Sequence, residues 1–89
     1  MQGLQRGLLF GAGILKNPWG VALDKDGCIV VAEFGNHRVQ VFRRDGTVAQ
    51  TLGSPGAGVG QLSYPMGVAV DKDGCIVVAE WSNNRVQSF

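Results

Sequence analysis

The stretch Pro18–Phe42, PWGVALDKDGCIVVAEFGNHRVQVF, returns at Pro65–Phe89 as PMGVAVDKDGCIVVAEWSNNRVQSF, 47 residues further on and without a gap. Nineteen of the 25 aligned positions are identical, and the differences are Trp19/Met66, Leu23/Val70, Phe34/Trp81, Gly35/Ser82, His37/Asn84 and Val41/Ser88. A fixed period of this length marks an architecture made by stacking one supersecondary unit, in which each copy buries the face of its neighbour.

Inside the unit, the apolar run Gly20–Leu23 ends in Asp24-Lys25-Asp26-Gly27, a turn with glycine where a positive φ is cheapest. Cys28–Ala32 follows as CIVVA, apolar on both faces, the pattern of a strand sandwiched between two other sheets. A polar loop, Glu33–His37, leads to Arg38–Phe42, which alternates with Val39 and Val41 on one side and Arg38, Gln40 and Phe42 on the other. A second turn, Arg43–Gly46, precedes a fourth strand over Thr47–Leu52. Four antiparallel strands joined by tight turns amount to one propeller blade.

The chain therefore divides into a lead-in (1–17), a first unit (18–52), a Gly-rich linker (53–64) and a second unit (65–89) that lacks its own fourth strand. The 47-residue shift aligns Gly11, Gly13, Leu15 and Pro18 with Gly58, Gly60, Leu62 and Pro65, and sets Met1–Arg6 in the place of an outer strand. The expected fold is all-β: two four-stranded antiparallel blades, either part of a propeller or a third of a six-bladed ring.

With 8 Lys+Arg against 7 Asp+Glu the net charge is +1, so composition makes no case for a polyanionic partner or an anionic membrane. No apolar run approaches the ~18 residues that cross a bilayer. Leu8-Leu9-Phe10 after Arg6 is broken by Gly11, Gly13 and Lys16, which argues against a secretory signal. Cys28 and Cys75 share one repeat position and form no Cys-x-x-Cys pair, so they read as small apolar residues of a reduced compartment. The expected location is cytoplasmic.

The elements Pro-x-Gly-Val-Ala-x-Asp, Asp-Gly-x-Ile-Val-Val-Ala-Glu, Asn36–Phe42 with its partner Asn83–Gln87, and the linker Gly58–Pro65 together resemble NHL repeats, most of all those of the TRIM-NHL proteins. Glu33 and Glu80 stand where that family usually has Asp, and two units are present where its propellers typically have six blades. The resemblance implies a non-catalytic binding module with protein or single-stranded RNA partners, in a parent similar to RING-type ubiquitin ligases through domains that lie outside these residues. Two blades alone leave large apolar faces open. The chain is thus expected to meet either the missing blades of a longer protein, the favoured alternative, or two further copies of itself. A purely structural self-assembling unit, and a piece of a propeller enzyme with its active residues on other blades, are the alternatives to the binding module.

In a propeller, the linkers and the loops between the second and third strands share one rim. That rim collects Asn17, Trp19, Asn36, His37, Tyr64, Met66, Asn83 and Asn84, together with Phe34 and Trp81. Aromatics and amides on one surface suit stacking of unpaired bases or capture of a peptide. Phe34 and Trp81 share a repeat position and are expected to pack between blades, whereas Trp19 and Tyr64 are the better binding residues. Gly20, Asp24, Gly27, Glu33 and Arg38, with their counterparts Gly67, Asp71, Gly74, Glu80 and Arg85, are expected to be structural, the Glu and Arg pairing within each loop.

The turns Asp24–Gly27 and Asp71–Gly74 lack the glycine and glutamate spacing of a calcium-binding EF-hand loop. One His and two Cys supply no zinc pattern, and no nucleophile–base pair or carboxylate dyad is apparent, so no catalytic, cofactor or metal residue is assigned.

Overall fold

The structure is a computed structural model that describes residues 15–89. It consists of two antiparallel sheets. The first contains β1 (Pro18–Leu23), β2 (Ile29–Glu33), β3 (Arg38–Phe42) and β4 (Val48–Leu52) in sequential order. The second contains β5 (Pro65–Val70), β6 (Ile76–Glu80) and β7 (Arg85–Ser88), also in order. The second sheet has three strands, and the segment set in the place of an outer strand, Met1–Arg6, lies outside the described residues.

The repeat is reproduced down to register. Val21 faces Val31 and Leu23 faces Ile29 across β1 and β2, as Val68 faces Val78 and Val70 faces Ile76 across β5 and β6. The same irregularity falls between Pro18 and Gly20 and between Pro65 and Gly67. Both hairpin turns are built identically. Asp24 Oδ1 accepts the N–H groups of Asp26 and Cys28 at 2.9 Å, and Asp71 Oδ1 accepts those of Asp73 and Cys75. Gly27 and Gly74 follow at φ +83° and +87°, a conformation that costs a residue with a Cβ. These carboxylates are thus engaged in making the turn, which is why Asp recurs at that place.

Two expectations about strand ends are revised. Thr47 belongs to the turn, where its N–H and hydroxyl both donate to Asp45 Oδ1, so β4 begins at Val48. The loop after β2 contains a short 3-10 turn, Phe34–Asn36. Gln40 and Phe42, on the side of β3 opposite Val39 and Val41, are buried as well. Gln40 is accommodated because its amide oxygen accepts the Thr51 hydroxyl of β4 at 2.5 Å.

The sheets pack face to face around one core. The first sheet contributes Val30, Ala32, Val39 and Val41; the linker contributes Leu62; the second sheet contributes Ile76 and Val78. Inner strand β5 lies against β1 and β2, so the two innermost strands run side by side, as in neighbouring blades. They come very close at Gly20, where a Cβ would stand 2.6 Å from the Met66 carbonyl oxygen. No side chain fits there, which explains the glycine.

Candidate functional site

Two repeated devices build the rim that carries the candidate residues. The first is a buried carboxylate below the loop. Glu33 is fully buried and receives the Lys16 N–H (3.0 Å), Asn36 Nδ2 (2.7 Å) and Arg38 Nε (2.5 Å). Glu80 repeats this with Ser63 N–H, Asn83 Nδ2 and Arg85 Nε, and adds Gln87 Nε2 at 3.0 Å. Burial pushes the Glu80 carboxyl up, but donors from Arg85, Asn83, Gln87 and the Ser63 N–H outweigh it and hold the group below its ordinary range. A carboxylate needs such donors to remain charged out of water, and glutamate reaches them from the end of β2 or β6.

Arg85 also donates to the carbonyls of Ala57, Gly58 and Gln61, tying the linker to its own blade. Both arginines and both asparagines, Asn36 and Asn83, therefore serve the loop; Asn83 donates to the Gly56 carbonyl as well.

The second device is a set of left-handed residues. Asn17 and Tyr64, at one repeat position, have φ +50° and +53°; His37 and Asn84, at another, have φ +51° and +50°. Asparagine tolerates this region, whereas a bulky aromatic enters it only when its surroundings compensate. For Tyr64 they do. Its N–H donates to His37 Nδ1 at 3.0 Å, its carbonyl accepts the Trp81 N–H, and its ring meets His37 edge-on at 4.4 Å. The His37 contact joins the two blades, because His37 lies in the first and Tyr64 leads into the second.

Above these devices runs a continuous row of rings. Trp19 lies 4.8 Å from Phe34, Phe34 lies 4.6 Å from Tyr64, and Tyr64 meets Trp81 edge-on at 6.0 Å. Trp19, Phe34, Met66 and Trp81 enclose an open groove of about 160 Å3 whose lining is almost wholly apolar. Trp19 and Trp81 flank it, 60% and 61% exposed.

The rim assignment of Trp19 and Met66 thus places them in one groove. The surroundings of two further residues are as follows. Tyr64, read as a binding residue, is half-buried and wedged between Phe34, His37 and Trp81. Trp81, read as packing between blades, is exposed and lines the groove. Phe34, at the equivalent position, does pack beneath Tyr64 while also lining the groove. Asn17 and Asn84 are exposed. The part missed from sequence is the contiguity of the rings; the signal for it was the 47-residue spacing between Phe34 and Trp81.

Cys28 and Cys75 are free, half-buried thiols. Burial, followed by the charge of Asp24 nearby, raises the Cys28 thiol above its ordinary value, which makes it a poor nucleophile. Among the described residues, no three His, Cys, Asp or Glu side chains gather into a metal-holding group.

A sequence profile described as NHL repeat matches residues 15–42 and 62–89, together more than half of the chain. The chain is 50% identical over 46 residues to E3 ubiquitin-protein ligase TRIM71 of Gallus gallus, covering 46% of the chain and 5% of that relative. It is 52% identical over 42 residues to the protein of that name from Bos taurus, covering 42% of the chain and 5% of the relative. It is 47% identical over 36 residues to Protein lin-41 of Caenorhabditis elegans, covering 40% of the chain and 3% of the relative. The aligned stretches are at most a twentieth of these relatives' lengths.

Proposed function

The chain belongs to the NHL repeat family, and from that premise we propose that it is a non-catalytic protein-binding module whose rim groove receives an apolar side chain of a partner peptide. The observation that carries this is the groove lined by Trp19, Phe34, Met66 and Trp81, with both tryptophans exposed. Large exposed aromatics around an apolar recess are what binding hot spots are made of, because they bury much area at little entropic cost.

A peptide fits the surroundings better than single-stranded RNA does. Arg38 and Arg85 of the rim loops are paired with buried carboxylates, which leaves the exposed Lys16 beside Gly35 as the rim's other cation, and the whole chain carries a net charge of only +1. Stacking alone without phosphate contacts gives weak retention of nucleic acid.

In a longer protein similar to the ubiquitin ligases named above, this module would select the partner, and transfer chemistry would reside in other domains. Free cysteines in both repeats support a reduced, cytoplasmic setting.

The test is selection of a random peptide display library on the chain, with a fluorescent single-stranded RNA pool run in parallel. Enrichment of peptides with Trp, Phe or Leu anchors, weakened about tenfold or more by Trp19→Ala, is expected. RNA retention that falls steeply with salt and is lost in Trp19→Ala, with no peptide enrichment, would replace the peptide with RNA.

A further inference from the structure

Between the two blades, the Tyr64 N–H donates to His37 Nδ1 at 3.0 Å. A neutral imidazole accepts at one nitrogen and donates at the other, whereas its protonated form carries a donor on both. The bond therefore belongs to the neutral ring, with its proton on Nε2, and has no acceptor in the charged one. His37 is the single histidine of the chain. Its counterpart in the second unit is Asn84, a side chain that does not titrate, at nearly the same φ, +50° against +51°.

We propose that His37 is a proton-sensitive latch between the blades: protonation at Nδ1 releases Tyr64 and loosens the row of rings along the rim. Tyr64 is poised for such a release. It sits at φ +53°, and the cost of the left-handed region for a bulky residue is of the same order as the net worth of one hydrogen bond. Losing the acceptor thus removes a contact that offsets backbone strain. Tyr64 also carries the loss onward. Its carbonyl accepts the Trp81 N–H at 3.0 Å, and its ring lies 4.6 Å from Phe34 and edge-on to Trp81 at 6.0 Å. Phe34 and Trp81 both line the groove.

The charged groups around His37 do not compensate the protonated ring. In its own loop, Glu33 is already engaged by the Lys16 N–H, Asn36 and Arg38, and Arg38, the next residue, is itself a cation. The segment before β1 brings another cation, Lys16, whose stem passes close to Gly35. From the linker comes the Tyr64 ring, edge-on at 4.4 Å. Behind it in the second blade, Glu80 is held by the Ser63 N–H and Arg85. The ion pairs among the described residues join Glu33 to Arg38 and Glu80 to Arg85 and leave His37 out. A charged imidazole gains no carboxylate in exchange for the bond it loses. The latch is closed near pH 8 and released near pH 5, the span over which an imidazole takes up its proton. On the reading of the groove as a peptide site, a partner is held at neutral pH and let go on acidification; the latch itself rests on the His37–Tyr64 geometry alone.

The test needs no peptide. Amide hydrogen exchange of the full 89-residue chain is followed by NMR from about pH 8 to 5, each rate being compared with that of an unstructured peptide at the same pH. The ring signals of the single histidine report its protonation in the same samples. Protection at Tyr64, and with it at Trp81, is expected to fall about fivefold as the ring takes up its proton. Asp71, whose N–H bonds to the Cys75 carbonyl inside one hairpin, should keep its protection. His37→Asn retains an acceptor oxygen and tolerates the left-handed region, so its Tyr64 protection should stay constant over the same range, with circular dichroism checking that the sheets persist.

Unchanged protection at Tyr64 in the wild-type chain while the ring titrates overturns the proposal, whatever the variant does. So does a loss shared equally by Asp71, which would be general unfolding, or the same pH response in His37→Asn. A Tyr64 response of the expected size supports the latch even where peptide selection at neutral pH fails, which keeps the two readings apart.

Discussion

Strands β2 and β6 carry the same five residues, IVVAE, yet they live in different surroundings. Val30 and Ala32 are fully buried, while Val77 is half-buried and Ala79 exposed. The contrast is larger one strand out, where Val39 is 0% exposed and its counterpart Val86 is 63% exposed. Register and turns match through the first three strands, so these differences come from what packs alongside: the second blade on the first, and β4 beside β3 where β7 has no fourth strand next to it. In a stacked architecture a residue's burial is a property of the blade beside it.

That comparison can be broken or sharpened in order of expected effect. The largest difference is expected for Val39→Asp against Val86→Asp in urea unfolding of the dilute, monomeric chain. An unpaired charge in the core should cost more than about 4 kcal/mol and leave the first variant largely unfolded. The exposed counterpart should shift stability by less than about 0.5 kcal/mol. Equal losses in the two would mean that the blades do not pack as described.

Next comes the carboxylate that the comparison leaves unchanged. Glu80→Ala strips the donors of Ser63, Asn83, Arg85 and Gln87 of their acceptor and should cost on the order of 3 kcal/mol. The sign of its pH dependence follows from a carboxyl held low in the fold. Its contribution is full above the ordinary glutamate range and disappears as pH falls through the lower folded value. Stability should therefore decline with acidification below that range, and Glu80→Gln should flatten the decline, as read by urea midpoints between about pH 5 and 2.

A smaller contrast is expected at the paired glycines. Gly20→Ala forces the inner strands apart against the Met66 carbonyl and should cost roughly 1–3 kcal/mol. Gly67→Ala should be close to neutral in the monomer, so thermal melts of the two variants ought to separate by several degrees. The smallest effect belongs to the inter-blade hydrogen bond. His37→Ala leaves the Tyr64 N–H without its acceptor and should cost about 1 kcal/mol, whereas Asn84→Ala should change monomer stability very little. Amide exchange at Tyr64 would report the first directly.

Much of the fold was legible in the chain because repetition removes ambiguity. The 47-residue period, the Asp-x-Asp-Gly turns and the apolar CIVVA runs prescribe hairpins whose register is set by local chemistry. The Glu33–Arg38 and Glu80–Arg85 pairs were legible for the same reason, since both partners lie within five residues of one another. The rim was legible only as a collection of residues. That Tyr64 would be clamped by His37, and that Trp81 would stand open while Phe34 packs, depends on which ring meets which across the blade boundary.

By itself, then, the sequence determined the blade: its strands, its turns, its buried carboxylate and its family. Those features rest on contacts between residues close in the chain, whose geometry a short segment can specify. Only the tertiary structure decided which copies of identical residues are core and which are surface, and that the aromatics line one groove. Those outcomes depend on docking one sheet against another, an arrangement that identical segments share in sequence but not in surroundings.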